Sequence, residues 1–153
     1  MLNRILSGGQ TGVDRAALDV GLALGLAVGG WCPRGRRAED GRIPDRYPLV
    51  ETPERNYQTR TRRNIEDSDG TLILNLGKLD GGTALTVAHA RQIGKPCLVV
   101  ALEAGIEPAS FRDWLAANRI AVLNVAGPRE SKRPGVYAAA VRCLERLLQE
   151  GSP

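Results

Sequence analysis

Apolar residues recur along this chain in two alternating rhythms, short continuous runs and runs spaced three or four residues apart. The first rhythm signals strands and the second signals amphipathic helices. A short run over 4–7 is followed by SGGQTG and then by Val13, Ala17, Val20 and Leu24, which share one face of a helix over 12–24. A second strand is expected over 27–32. A polar stretch over 33–53 then carries prolines at 33, 44, 48 and 53. Loops of that length inside a compact domain are uncommon and tend to be functional. Beyond it the pattern predicts a polar, arginine-rich helix over 54–66, a strand over 71–76 and a helix over 83–93. A strand over 97–102, a short helix over 110–118 and a strand over 120–126 come next. Pro134 starts a last helix over 134–149, with Val136, Ala140, Leu144 and Leu148 on one face. Strands separated by helices of this length pair in parallel through crossovers. The expectation is a single domain over 1–153 of the α/β class. It is a three-layer Rossmann-like sandwich with a mostly parallel, about five-stranded central sheet.

Composition narrows the picture. Hydrophobic residues make up 42% of the chain, enough for a buried core. Only 4% are aromatic and 18 are Gly, so the core is expected to be aliphatic and the backbone rich in tight turns. No apolar run approaches the roughly 18 residues of a membrane span, and Arg4 interrupts any leader-like start. Cys32, Cys97 and Cys143 are an odd number with no CxxC pair. That pattern points to a reducing, cytoplasmic setting rather than to disulfides or a zinc site. The net charge is +4, and 18 of the 21 basic residues are Arg. Arginine suits bidentate recognition of phosphate and other oxyanions. Without aromatic interleaving or a basic run, nucleic acid is not the expected partner; a small anionic ligand is.

Three strand-to-helix turns carry the unusual residues. SGGQTGVDR places Ser7, Gly8, Gly9, Gln10, Thr11 and Gly12 at a helix start, where amide N–H groups and the positive dipole end suit an anion. The same residues also read as a plain turn, with Thr11 as N-cap and Asp14 as its capping acid. The spacing is neither GxGxxG nor the Walker pattern. LDGGTALT repeats the theme with Gly81, Gly82 and Thr83. Both turns line one crevice if the strand order reverses between the first and third strands. NVAGPRESKRPG supplies Arg129, Glu130, Ser131, Lys132 and Arg133 at the same end of the sheet. If the glycines exist so that a ligand can approach the backbone, Gly9→Ala and Gly82→Ala should each cost more binding than stability.

The long loop carries Arg34, Arg36, Arg37, Arg42 and Arg46 beside three acids. It reads equally as a basic lid over an anion, with Arg34 and Arg36 as contacts, or as a solvated loop with internal ion pairs. His89 stands alone, without partners at metal-ligand or triad spacing, and is assigned a structural or surface role. Cys32 reads as a buried small hydrophobe. Trp31 and Trp114 read as core or interface.

At SGGQTGVDRAALD, GWCPRGRRAEDGRIPDRYPL, the Tyr57–Arg60–Asn64 spacing, DSDGTLIL, GGTALT, KPCLVV, FRDWL and LNVAGPRES followed by PGVY, the chain resembles the molybdenum cofactor carrier protein family. That family belongs to a Rossmann-like group that also includes cytokinin-activating phosphoribohydrolases. The resemblance implies a carrier that binds molybdenum cofactor (molybdopterin), an anionic pterin with a phosphate and a dithiolene-held molybdenum oxide, and delivers it to molybdoenzymes. It also implies a homo-oligomer, with a tetramer expected. The alternative is a protein that binds or senses a nucleotide such as AMP, or a phosphoribohydrolase-like enzyme on nucleoside monophosphates. Those hydrolases use an Arg on the helix before the third strand, which Arg60 matches. Their Glu, three residues after the turn's Thr, is Thr86 here. With no evident acid or base at that place, binding without chemistry is the expectation.

Overall fold

The computed structural model describes residues 1–149. In chain order, β1 (Arg4–Leu6) leads to α1 (Val13–Ala23), β2 (Ala27–Gly29), β3 (Trp31–Cys32), β4 (Arg37–Ala38), β5 (Gly41–Arg42) and β6 (Val50–Glu51). Then follow α2 (Tyr57–Asp67), β7 (Gly70–Asn75), α3 (Gly81–Gln92), β8 (Cys97–Ala101), α4 (Pro108–Ala117), β9 (Val122–Ala126) and α5 (Val136–Gln149). Five strands form the central sheet in the order β2-β1-β9-β7-β8, and every pairing is parallel. The expected α/β sandwich is the observed one. Parallel strands are covered on both faces, which is why all of β7 is buried.

The strand order adds what periodicity could not supply. β9, the last strand among the described residues, lies between β1 and β7, so the first and third long strands are not neighbours. The crossover from β1 to β2 runs one way along the sheet and that from β7 to β8 the other, which places α1 and α3 on opposite faces. α1 and α4 both pack on α5, whereas α2 packs on α3. The C-terminal ends of β1, β9 and β7 are adjacent, so the turns that follow them meet at one edge. Beneath them lies the aliphatic core, Ile5, Leu72, Leu74, Leu123 and Val125 against Val13, Ala17, Val20, Val136, Ala140 and Leu144. Among the described residues no helix is long and apolar enough to cross a membrane.

Two local expectations are corrected. The strand over 27–32 is broken at Gly30, whose φ of 127° belongs to glycine. A Cβ there would run into the Ser7 backbone and stand 2.9 Å from Asn64 Oδ1. β3 therefore leaves the central sheet and pairs with β6. Asn64 fixes the break: its Oδ1 accepts from Trp31 N–H at 2.8 Å and its Nδ2 donates to Trp31 O at 3.0 Å. The long loop is not structureless either. It holds the β4–β5 hairpin and β6, and its Ala38, Ile43, Tyr47 and Leu49 form a small core with Cys32 of β3 and Leu18 of α1.

Candidate functional site

A cleft of about 550 Å³ opens where the turns after β1, β9 and β7 meet α2 and α3. From the sequence-derived set it brings together Gln10, Arg60, Gly81, Gly82, Thr83 and Arg129. Asp14, Tyr57, Thr86, His89 and Lys132 also line it.

Arg60 reaches the cleft through the spacing of α2. Asn56 starts that helix by accepting the Thr59 N–H at 2.9 Å. Tyr57, Arg60 and Asn64 then fall at i, i+3 and i+7 on one face. The Arg60 side chain crosses Gly8, where an added Cβ would stand 2.8 Å from Nε. Its guanidinium lies 5.4 Å from the Tyr57 ring centroid, and Nη1 donates to Thr61 Oγ1. Nε is buried with no partner, and Nη2 makes no hydrogen bond among the described residues. Burial pushes the Arg60 pKa down, and the nearby Asp14 carboxylate opposes that shift. Asp14 shows the converse, raised by burial against the pull of Arg60, the Gln10 N–H and Arg15. A desolvated cation with uncommitted donors is costly until an anion completes it.

The two paired-glycine turns differ in their backbone. After β1, Gly9 N–H donates to Ser7 Oγ at 3.3 Å, Gln10 N–H to Asp14 Oδ2 at 3.1 Å and Thr11 N–H to Gln10 Oε1 at 3.1 Å. Val13 N–H donates to Pro128 O at 3.3 Å. The N-cap of α1 is Gly12 rather than Thr11, at φ 80° and with no side-chain cap bond. A Cβ on Gly12 would strike Pro128 O and reach Arg129 C at 3.0 Å. Thr11 instead donates its hydroxyl to Glu39 and accepts the Glu130 N–H at 3.2 Å. At the head of α3, Asp80 is the N-cap and makes no cap bond. Its carboxylate takes Lys132 at 2.8 Å and Arg133 at 3.3 Å. The N–H groups of Gly81, Gly82 and Thr83 have no acceptor among the described residues.

The remaining sequence candidates lie elsewhere. Arg36 is buried and donates to the carbonyls of Ile43, Pro44, Tyr47 and Leu49, so its charge organises the loop rather than the cleft. Arg34 is exposed outside the cleft. Glu130 accepts the Gly135 and Tyr137 N–H groups at 2.6 and 2.9 Å and heads α5. Ser131 donates to Glu39 from both its N–H and its hydroxyl. At the hydrolases' Glu position, Thr86 donates its hydroxyl to Gly82 O at 2.9 Å. The sequence reading gave His89 no site role, yet one side of it lines the cleft while Nε2 is buried 4.0 Å from Glu66 Oε1. In the sequence Asp14 reads as a capping acid and Lys132 as a loop cation. Only the fold shows that they share a wall. Among the described residues no cluster could hold a metal ion.

The model of the circularly permutated YpsA SLOG family matches residues 5–148. A crystal structure from Syntrophus aciditrophicus, described as a "Putative molybdenum carrier protein", is 46% identical and superposes with a TM-score of 0.91. The match covers 96% of this chain and 95% of that one. No curated protein matches.

Proposed function

From the premise that the chain belongs to the circularly permutated YpsA SLOG family, we propose that it binds and carries a small phosphate-bearing anion. Molybdenum cofactor is the cargo favoured by its similarity to the Syntrophus aciditrophicus protein. The phosphate takes the free N–H groups at the head of α3, and Arg60 closes over it. Arg129 and Lys132 stand at the rim for a second anionic end. Bound there, the pterin would be shielded until a molybdoenzyme receives it. The supporting observation is Arg60, a half-buried cation in the cleft with uncommitted donors.

Charge-assisted hydrogen bonds contribute roughly 1.5–3 kcal/mol each. Four or five of them approach the roughly 8–12 kcal/mol of micromolar-to-nanomolar binding. Protein purified from cells that make molybdenum cofactor should release a phosphorylated pterin, detected by mass spectrometry. Arg60→Met should bind the cofactor about 100-fold more weakly, the loss of one or two such bonds. Recovery of AMP and no pterin would overturn the carrier reading.

The presence of Arg60 in the cleft also favours a second reading, a nucleotide pocket. Incubation with nucleoside monophosphates separates binding from hydrolysis. Free base should appear no faster than with heat-denatured protein. Turnover that disappears in Arg60→Ala would make the protein a phosphoribohydrolase.

A further inference from the structure

Glu39 lies just beyond β4, at the turn of the β4–β5 hairpin, and its carboxylate collects donors from two of the three site turns. Thr11 Oγ1 and Ser131 Oγ donate to it. The Ser131 N–H donates to Oε2 at 3.2 Å, and Arg129 Nε stands 3.9 Å from Oε1. The residue's own N–H donates to Gln10 Oε1 at 2.8 Å, which fixes the hairpin over the first turn. Partial burial works against a charge here. The bonds from Ser131 and Thr11, with Arg129 beside them, nevertheless hold the carboxyl below the usual carboxylate range.

Two hydroxyls, an amide N–H and a guanidinium converging on two oxygens form the donor chemistry of a tetrahedral-oxyanion site. A carboxylate of the protein itself fills it. Arg129 belongs to this donor set and also lines the cleft, so the two are continuous. The hairpin has a separate anchor, because Asp40 receives both terminal nitrogens of Arg15 at 2.9 Å. The Glu39 side chain can therefore swing out while the hairpin stays pinned.

We propose that Thr11, Arg129 and Ser131 form a second oxyanion site, occupied by the Glu39 carboxylate until an anionic group of the ligand, a phosphate or a metal-oxo end, takes its place. This deepens the carrier reading by giving a ligand with two anionic ends two distinct seats. It rests on that reading only for the continuity through Arg129.

Inorganic phosphate and molybdate, titrated calorimetrically at constant ionic strength, test it on the whole chain. Wild-type protein should bind one such anion per chain, in the cleft. Glu39→Ala should bind two, and Glu39→Ala with Ser131→Ala should return to one. Removing a negative charge tightens any anion site, so the change in stoichiometry, not affinity, is the readout. Glu39→Gln keeps the side chain's size and should also bind two, which protects the test if the Ala variant fails to melt cooperatively. In Arg60→Met the cleft anion should be lost, while adding Glu39→Ala should still supply a second-site anion. Absence of the wild-type anion would count against the cleft reading alone. A folded Glu39→Ala or Glu39→Gln that gains no site would overturn the present proposal.

Discussion

The turns after β1 and β7 look alike as sequence, each a glycine pair opening a helix, but the folded backbone uses them in opposite ways. In SGGQTG the amides of Gly9, Gln10 and Thr11 are spent inside the turn. In DGGT the amides of Gly81, Gly82 and Thr83 have no acceptor among the described residues. The difference comes from side chains nearby in sequence. Ser7, Gln10 and Asp14 supply acceptors to the first turn, whereas the one acid at the head of α3, Asp80, is held by Lys132 and Arg133. A glycine pair before a helix is thus ambiguous until the local acceptors are counted.

The largest effect that would break this contrast is on stability. Gly12→Ala forces an L-residue to positive φ and drives its methyl into Pro128 O. Left-handed strain and overpacking together should cost about 3 kcal/mol, or a melting temperature lower by roughly 6–12 °C for a chain of this size. Gly9→Ala meets the same positive φ of 80°, but its methyl strikes only Leu49 Cδ1 at 2.7 Å and Ile43 Cδ1 at 2.8 Å, side-chain ends that can shift where Pro128 O cannot. Its cost should be smaller, about 1–2 kcal/mol, with anion affinity of the folded protein kept. Gly9 and Gly82, alike in sequence, are thus expected to part on substitution. A melting temperature unchanged in Gly12→Ala would sink the account of the first turn as a structural joint.

At the second turn the order should invert. A methyl on Gly82 meets nothing within 4 Å, so Gly82→Ala should change stability by less than about 1 kcal/mol. Phosphate affinity should fall about three- to tenfold, because the methyl occupies space beside the uncommitted N–H groups. Equal affinity in wild type and variant would show that the anion does not approach α3 there.

The smallest effect concerns acid. The carboxyls of Glu39 and Asp40 are both held below the ordinary range: Glu39 by Ser131, Thr11 and Arg129 against the opposing effect of burial, Asp40 chiefly by its bond to Arg15. Carboxylates lowered in the folded state stabilise it above their unfolded pKa, about 4, and lose that contribution as pH falls through the folded value. Asp14, raised by burial, works in the opposite sense. The melting temperature should therefore fall on acidification below about pH 4, and less steeply in Glu39→Gln than in wild type. Parallel slopes would remove Glu39 as a strut of the first turn.

The strands and helices of the central layers were legible because burial on both sides of a sheet produces apolar runs, and one-sided burial of helices produces a 3.6-residue period. Gly30 hid inside such a run, since its role depends on Ser7 and Asn64 arriving from elsewhere in the chain. The loop's small core was invisible because Ala38, Ile43, Tyr47 and Leu49 have no period and pack on Leu18 of α1. Arg60 was found through resemblance and lies in the cleft. Arg36, of the same residue type in a richer basic context, serves four carbonyls. Charge composition does not tell these two arginines apart; their burial and hydrogen-bond partners do.

The central position of β9 also bears on time. β1 and β7 cannot join until residues 122–126 slide between them, so the sheet closes through its longest-range pairings. Closure over such separations is slow to nucleate and leaves strand edges open meanwhile. During synthesis the growing chain would present α1, β2 and the long loop to the cell well before the three turns could meet. The three turns converge only once the strand leading to Pro128 is in place. Convergence of the turns thus waits on β9, and a chain stalled before residues 122–126 should be a client for chaperones.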